Sequence, residues 1–221
     1  MIKYIENCVN THPRPQPLKS SLYLIWFWLA FFVFLSGCSI APVEYKPDTV
    51  HYDQTEIKAK LIALKNWSLF GKLGIRTDQE SVTAAINKWQ QNGEQFEIEI
   101  SSTFFGLGSS KLYGNADFLS IFQAGEEPVS SFEPDKLIES SLGFPLPISH
   151  LQYWIKGLPA KGIPFSQTFN SQGLADSLEQ DSWSLSYSNY HTEYPIPLPG
   201  KIKIQRDDIH IIVAVKEWTL P

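Results

Sequence analysis

Apolar and polar residues alternate with a period of two along much of the chain. The clearest stretch is residues 95–100, where Phe96, Ile98 and Ile100 alternate with Gln or Glu. Successive side chains of a strand point to opposite faces, so this stretch would have one apolar and one polar face. Such strands are typical of an antiparallel sheet that covers a core on one side. The Asn92-Gly93 pair just before this stretch predicts a tight hairpin turn.

Similar alternation predicts further strands along the chain. They lie at residues 68–76, 82–91, 111–113 and 118–123 and, towards the C-terminus, at 183–187, 202–204 and 209–215. Apolar residues three or four positions apart predict helices instead, at residues 54–67, 134–142 and 147–156. Pro134 suits the first turn of a helix, and Gly143 suits the position just after its end.

These elements predict a mainly β fold with an apolar interior. A large sheet with one apolar face must bury that face, and three short helices cannot cover about ten strands if the sheet stays flat. We therefore expect a curved, half-closed antiparallel sheet with the helices as a lid over its inner side. An apolar interior of this kind is a cavity suited to lipid.

The N-terminal region has the organisation of a secretory signal. Residues 1–20 have a net positive charge, and the predominantly apolar residues 21–35 contain no charged residue. This segment is shorter than the roughly 20 residues of a membrane-spanning helix, but it has the length of a signal-peptide core. The sequence Leu35-Ser36-Gly37-Cys38 follows and resembles a bacterial lipobox. The resemblance implies cleavage before Cys38 and attachment of diacylglycerol to its sulfur; the alternative is an uncleaved anchor helix.

The lipobox divides the chain into three parts. Residues 1–37 are predicted to be the lipoprotein signal peptide, residues 38–50 a lipidated tether, and residues 51–221 the folded domain. Three acyl chains at Cys38 would give stable membrane attachment. In enteric lipoproteins an Asp after the lipidated Cys retains the protein at the inner membrane. Ser39 in this position therefore implies the periplasmic face of the outer membrane.

Composition argues against several classes of function. The formal net charge is −5, and removal of the signal peptide makes it two units more negative, which argues against a nucleic-acid partner. Cys8 would be removed and Cys38 lipidated, so no thiol would remain for a disulfide, a metal or nucleophilic catalysis. The rest of the sequence contains neither H-E-x-x-H nor G-x-S-x-G. We therefore expect no enzyme activity, no metal and no cofactor.

Residues 101–112 contain large apolar side chains where a turn would normally be polar. Phe104, Phe105 and Leu107 lie among Gly and Ser residues, directly after a predicted strand. They either pack into the core or are exposed to insert into a bilayer or a partner. Lipid attachment at Cys38 would favour the membrane-inserting loop.

Several motifs resemble the LolB family of outer-membrane lipoprotein receptors. The longest and most specific is LGFPLPISHLQYWIKGLP, at residues 142–159. The others are Gly71–Gly74, Trp89–Gly93, Gly106–Gly108 with Leu112–Gly114, Trp183 with Tyr187 and Tyr190, Leu198-Pro199 and Trp218. Together these motifs span residues 67–218.

The resemblance implies an open, half-closed antiparallel β-barrel of about eleven strands with helices as a lid. It also implies a monomeric receptor, working without nucleotide or metal, that accepts acylated lipoproteins from the periplasmic carrier LolA and inserts them into the outer membrane. The exposed leucine of the family's protruding loop corresponds to Phe105, and Phe104 stands where Pro is usual. Phe is at least as well suited as Leu to entering lipid.

Seven apolar residues are candidates for lining or bordering the acyl-binding cavity, although each also suits an ordinary core position. They are Trp89, Phe96, Ile98, Ile100, Leu112, Trp154 and Trp183. Glu97 and Glu99 share the polar face of their strand, where they either contact only solvent or attract a basic rim on the carrier.

Two other functions agree with the same pattern. A lipocalin-like, lipid-anchored module would bind a small apolar ligand and keep Phe104 and Phe105 in its core. A lipoprotein with a structural or assembly role would have a filled interior. The three hypotheses differ in whether a cavity exists, what occupies it and whether the loop meets lipid.

Overall fold

Eleven strands and three short helices make up the described part of the chain, which in this computed structural model comprises residues 50–101 and 109–221. The helices are α1 (Gln54–Ala63), α2 (Pro134–Leu142) and α3 (Ile148–Trp154). The strands are β1 (Asn66–Arg76), β2 (Ser81–Asn92), β3 (Gln95–Ser101), β4 (Ser109–Gly114), β5 (Leu119–Gln123), β6 (Val129–Ser131), β7 (Phe165–Phe169), β8 (Ala175–Gln180), β9 (Trp183–Ser188), β10 (Lys201–Arg206) and β11 (Ile209–Thr219).

All eleven strands belong to one antiparallel sheet. Their order is β6-β5-β4-β3-β2-β1-β11-β10-β9-β8-β7. Strands β6 and β7 are the two edges, and the chain passes from one edge to the other through α2 and α3. The prediction of a mainly β, open antiparallel sheet of about eleven strands with three short helices is confirmed.

The alternation in the sequence becomes two distinct faces of this sheet. In β3, Phe96, Ile98 and Ile100 are buried, while the residues between them are partly exposed. Strand pairing continues the buried face sideways, because Ile98 lies opposite Trp89 of β2 and Leu112 of β4. We call the face with the buried side chains the inner face and the opposite one the outer face.

Helix α1 is shorter than the helix predicted at residues 54–67. It begins after Asp53, whose carboxylate accepts a hydrogen bond from a backbone N–H of the first turn. Trp67 belongs to β1 instead of the helix. Its indole is buried against those of Trp89 and Trp218, with ring centroids 5.8 and 5.3 Å apart. Burial of these aromatic surfaces together outweighs the helical spacing at this point.

Strands β6, β7 and β8 are not predicted by the sequence pattern. Strand β7 is an edge strand whose terminal Phe165 and Phe169 are both exposed, so its pattern shows no buried face. In β8 the buried face includes the polar Gln180 beside Ala175 and Leu178, which interrupts the apolar alternation. Both strands form because tertiary pairing, rather than their own hydrophobic pattern, stabilises them.

Helices α2 and α3 follow each other closely across the open side of the sheet. Helix α2 ends at Gly143, which has a φ of +79°, a conformation that favours glycine. The carboxylate of Asp135, in the first turn of α2, accepts a hydrogen bond from the backbone N–H of Ile148 at 3.1 Å. This bond holds the beginnings of the two helices together. No helix within residues 50–101 and 109–221 is both long and apolar enough to cross a bilayer.

Candidate functional site

An apolar cavity lies between the inner face of the sheet and helices α2 and α3. Its volume is about 80 Å³, and its lining consists of aliphatic side chains and one indole. The strands contribute Leu73, Ile75, Val82, Ala84, Ile86, Trp89, Ile98, Ile100, Leu112, Ile204, Ile211 and Val213. The helical side contributes Ile138, Leu142, Leu146, Ile148, Leu151 and Ile155. A cavity with this lining favours apolar ligands and disfavours charged or hydrogen-bonding groups.

The floor of the cavity follows from the register of the central strands. Ile75 of β1 lies opposite Val82 of β2 on one side and Ile211 of β11 on the other. Ile211 in turn lies opposite Ile204 of β10. Four strands therefore place one continuous row of branched aliphatic side chains on the inner face.

The roof of the cavity follows from helical spacing. Ile138 and Leu142 of α2 are four residues apart, which brings both to the same face of that helix. Ile148, Leu151 and Ile155 use spacings of three and four residues in the same way at α3. The two helices therefore each turn one apolar stripe towards the sheet.

Helix α1 contributes no residue to this cavity, in contrast to the expectation that all three helices form the lid. Its buried residues Ile57 and Leu61 border a separate small space of about 30 Å³, together with Leu158 and Leu174. The lid over the main cavity consists of α2, α3 and the residues that join and follow them.

Four of the seven residues predicted from the sequence line the cavity. Trp89, Ile98, Ile100 and Leu112 all belong to inner-face positions of β2, β3 and β4. The lining residues of β1, β10 and β11, those of the helical side, and Val82, Ala84 and Ile86 of β2 were not predicted. The alternation in β1 and β11 predicts that their apolar residues face the interior. The helical spacing of Ile138 and Leu142 likewise predicts that α2 turns these two residues towards the sheet.

The other three predicted lining residues are buried elsewhere in the core. Phe96 lies at the far end of β3, opposite Gly114 of β4. Trp154 and Trp183 pack against each other with ring centroids 6.2 Å apart, and both are fully buried. Their large side chains fill the interior beside the cavity rather than facing its space.

Four of the predicted functional residues lie outside the described residues. They are Cys38, the lipidation candidate, and Phe104, Phe105 and Leu107, the candidates for membrane insertion. The segment 102–108 connects β3 to β4, whose flanking residues Ser101 and Ser109 lie opposite each other in the sheet.

The acidic face of β3 is paired with lysines. Glu97 forms ion pairs with Lys88 of β2 at 3.0 Å and with Lys111 of β4 at 3.2 Å, and Glu99 lies 3.7 Å from Lys111. The hydrogen bond from Lys88 is the main reason why the pKa of Glu97 is lowered. The charge of these carboxylates is therefore largely balanced within the sheet, which leaves little of it to attract a basic carrier.

A buried lysine joins the end of the lid to α1. The Nζ of Lys156 donates hydrogen bonds to the backbone oxygens of Leu61 at 3.0 Å and Leu64 at 2.8 Å. Burial lowers the pKa of Lys156 to about 8, with a smaller contribution from the charge of Lys161. The ammonium interacts with carbonyl oxygens at the C-terminal end of a helix, where the helix dipole favours a positive charge.

Two further titratable groups lie partly buried at the lid. Burial raises the pKa of Asp135, and burial lowers the pKa of His150. In both cases burial favours the uncharged form, as expected beside an apolar interior. Within residues 50–101 and 109–221, no group of three or more His, Cys, Asp or Glu side chains is placed to hold a metal ion.

Comparison with known families gives a match over most of the folded domain. Residues 65–218 match the family model described as "Outer membrane lipoprotein LolB". The outer-membrane lipoprotein LolB of Cellvibrio japonicus is 32% identical over 191 residues, which cover 84% of this chain and 91% of that protein. The outer-membrane lipoprotein LolB of Stutzerimonas stutzeri is 34% identical over 188 residues, covering 83% of this chain and 89% of that protein.

A solved structure has a similar fold at low sequence identity. A DUF1329 family protein from Desulfovibrio piger superposes with a TM-score of 0.50 over 76% of this chain and 91% of that chain. The two sequences are 7% identical, so the likeness concerns the fold alone.

Proposed function

Because the chain belongs to the LolB family of outer-membrane lipoproteins, we propose that it receives acylated lipoproteins in its apolar cavity and inserts them into the outer membrane. The observation that supports this function most directly is the aliphatic cavity between the open sheet and the two-helix lid. The family consists of outer-membrane lipoproteins, and the outer membrane is the location of this chain. We further propose that Cys38 carries the lipid anchor and that the domain acts as a monomer.

The apolar lining suits the chemistry of the cargo. Each CH2 group of an acyl chain that is exposed to water costs about 0.8 kcal/mol, so a lipoprotein must cross the periplasm with its acyl chains covered. The cavity residues offer aliphatic contacts and no charged group. Transfer without an energy source requires the acyl chains to be bound more tightly here than in the donor, LolA, and less tightly than in the bilayer.

The size of the cavity implies that the lid moves during binding. A water-sized group takes up about 30 Å³ in a liquid, so the observed volume of about 80 Å³ holds about three such groups. A myristoyl chain alone has about a dozen CH2 groups, and triacylated cargo has three acyl chains. We therefore propose that α2 and α3 move away from the sheet when cargo enters. The observed cavity is the closed form of a site that widens around its ligand.

The cavity can be tested with two neighbouring alanines. Ala84 lines the cavity, whereas Ala85 is the next residue on the outer face of β2. Ala84→Phe should lower the affinity for a fluorescent fatty-acid analogue about tenfold, because excluding about two CH2 groups removes that much binding free energy. Ala85→Phe should leave the affinity unchanged. Equal affinity in both variants, or failure of a diacylated peptide to displace the analogue, would contradict acyl binding in this cavity.

Delivery to the membrane can be tested at the loop between β3 and β4. We propose that Phe104, Phe105 and Leu107 enter the bilayer during release. Phe105→Glu should leave uptake of a lipoprotein from LolA intact but block its delivery to vesicles, because a carboxylate in the bilayer is strongly disfavoured. The control is Phe122→Glu, since Phe122 of β5 is also exposed but lies outside this loop. Normal delivery by the Phe105→Glu variant would rule out the proposed role of the loop.

The same measurements separate the alternative function. A lipocalin-like module would bind the fatty-acid analogue but would take no lipoprotein from LolA. Uptake from LolA, measured by co-purification of labelled cargo with this chain, is therefore the deciding observation between the two functions.

A further inference from the structure

Four lysines cluster on the outer face of the central strands, on the opposite side of the sheet from the cavity. Lys72 lies in β1, Lys201 and Lys203 lie in β10, and Lys216 lies in β11. Lys72 and Lys201 lie opposite Ala214 from its two sides, in one row of the strand pairing. Neighbouring strands are about 4.8 Å apart, so the backbones of these two lysines are about 10 Å apart. Within residues 50–101 and 109–221, none of the four lysines forms an ion pair.

Two large apolar side chains are exposed among these lysines. Phe70 of β1 is 41% exposed and Ile212 of β11 is 39% exposed. The Nζ of Lys216 lies 5.6 Å from the centroid of the Phe70 ring. Ile212 lies opposite Lys203. We call the set of six residues the lysine face: Lys72, Lys201, Lys203, Lys216, Phe70 and Ile212.

A shallow groove of about 320 Å³ opens in the lysine face beside Gly74. A Cβ atom on Gly74 would have no other atom within 4 Å, so the floor of the sheet is bare at this point. The residues that border the groove include Arg76, Thr83 and Lys203. The side chains of these residue types are donors that can bind phosphate oxygens.

The positive charge of the lysine face contrasts with the acidic chain around it. The whole chain has a formal net charge of −5. Glu217 lies opposite Phe70 at one end. At the other end Asp208 accepts a hydrogen bond from the backbone N–H of Asp78, in the turns beyond Arg76. Separation of charge on this scale creates a local positive potential that favours an anionic partner.

We propose that the lysine face lies against the anionic phospholipid headgroups of the outer membrane. Lysines near an anionic membrane surface are attracted to it, and exposed Phe and Ile side chains enter the interfacial layer between headgroups and acyl chains. An acidic protein would match the four lysines, but it gives no reason for Phe70 and Ile212 to be exposed among them. The proposal rests on the outer-membrane location of the chain and not on acyl binding in the cavity.

The experiment places a fluorescent reporter beside the lysine face in the full, lipid-anchored chain. Ser186 of β9 lies opposite Lys203 on the outer face, so Ser186→Cys accepts an environment-sensitive fluorophore there. Because cleavage before Cys38 removes Cys8 and Cys38 carries the lipid, the introduced Cys is the single free thiol of the anchored chain. The chain is reconstituted in phosphatidylcholine vesicles with or without about 30% phosphatidylglycerol. We expect the emission to shift to shorter wavelength, and to be quenched by a lipid-borne quencher, only with phosphatidylglycerol. About 0.5 M NaCl should abolish both effects by screening.

Charge reversal provides the control. Lys201→Glu with Lys203→Glu should lower the quenched fraction about tenfold, because four charge units are removed from the surface that meets the headgroups. Lys65→Glu with Lys161→Glu makes the same change in net charge at two exposed lysines outside the lysine face and should leave the quenching unchanged.

Three results would overturn the proposal. They are equal quenching with and without phosphatidylglycerol, quenching that survives reversal of Lys201 and Lys203, and an emission shift caused by an acidic protein without vesicles. Lipoprotein delivery is measured in the same vesicles, so the two proposals fail separately. Loss of delivery with normal quenching would count against the cargo function alone, and normal delivery without quenching would count against the lysine face alone.

Discussion

The buried side chain of Gln180 accepts a hydrogen bond from the indole of Trp154, with Oε1 and Nε1 2.9 Å apart. The same oxygen accepts a second hydrogen bond from the backbone N–H of Ala160 at 2.8 Å. The amide nitrogen of Gln180 donates to the backbone oxygens of Ala160 at 2.9 Å and Ile163 at 3.1 Å. One side chain of β8 therefore fixes both the end of α3 and the segment that leads from the lid to edge strand β7.

Replacing Gln180 should destabilise the domain strongly. In Gln180→Leu, the indole N–H of Trp154 and three backbone groups lose their partner in a buried environment. Each buried unsatisfied group costs about 1–3 kcal/mol, so we expect the free energy of unfolding to fall by at least about 3 kcal/mol. Urea denaturation measures this difference. Gln95→Leu, at an exposed position of β3, is the control and should change stability by less than about 0.5 kcal/mol.

The sheet and much of the cavity floor were accessible from the sequence because they depend on local alternation. In β3, Phe96, Ile98 and Ile100 occupy alternate positions, so all three side chains lie on the same, buried face of the sheet. Strand β8 was not accessible in this way, because the polar Gln180 occupies a buried position whose partners are far away in the chain. Hydrophobic pattern alone gives no reason to bury an amide.

The roles of the large aromatic residues also depended on tertiary structure. Trp89 and Trp154 both have the size and apolarity expected of a cavity wall, yet Trp89 lines the cavity and Trp154 bonds to Gln180 in the core. Sequence shows that such a side chain is buried, but the choice between wall and core depends on its tertiary partners. Trp154 lies in α3 and donates its hydrogen bond to Gln180 of β8, which is distant in the chain.

Two glycines of β1 should respond differently to the same substitution. A Cβ on Gly71 would lie against the backbone oxygen of Ala214, closer than two non-bonded atoms can approach, whereas a Cβ on Gly74 would meet nothing. Gly71→Ala should therefore lower the free energy of unfolding by about 1–3 kcal/mol. Gly74→Ala should be neutral or slightly stabilising, because alanine restricts the unfolded chain. Thermal unfolding of the two variants, measured side by side, tests the difference, and equal effects would contradict it.

Lys156 should make the domain more stable as the pH rises through the alkaline range. The pKa of Lys156 is about 8 in the folded chain, whereas an exposed lysine has the ordinary value of 10.5. Between pH 8 and pH 10.5 the unfolded chain therefore binds more protons than the folded chain. The free energy of unfolding therefore rises with pH in this window, and below pH 8 the full cost of burying the charge remains. Relative to Lys156→Met, the wild type should gain about 1–2 kcal/mol between about pH 7.5 and 9.5.

Urea denaturation at the two pH values measures this gain. Lys65→Met, at an exposed position, should differ from the wild type by the same amount at both pH values. A constant difference between the wild type and Lys156→Met would show that the two hydrogen bonds to Leu61 and Leu64 hold the ammonium in its charged form throughout.

His150 should make the domain less stable as the pH falls into the acidic range. Burial lowers the pKa of His150 below its ordinary value of 6.5, although the charges of Asp181 and Asp135 act against this shift. Its ring packs edge-on against Trp154 at 5.2 Å, and its Nδ1 has no hydrogen-bond partner within the described part of the chain. Below pH 6.5 the unfolded chain therefore takes up a proton that the folded chain resists, so stability falls as the medium becomes acidic.

Replacing the imidazole of His150 by a ring that cannot be protonated should remove this loss of stability at acidic pH. Between about pH 7.5 and 5.5, His150→Phe should lose less stability than the wild type, by up to about 1 kcal/mol. Asp135 acts in the opposite direction, because burial raises its pKa and lets the folded chain gain protons first. It is present in both proteins, but His150→Phe also removes the charge of His150 that partly opposes this rise. Thermal or urea unfolding across this range measures the difference, with His51→Phe at an exposed position as the control. If the two proteins lose stability in parallel, His150 accepts its proton as readily in the folded chain as in the unfolded one, and its packing against Trp154 does not oppose the charge.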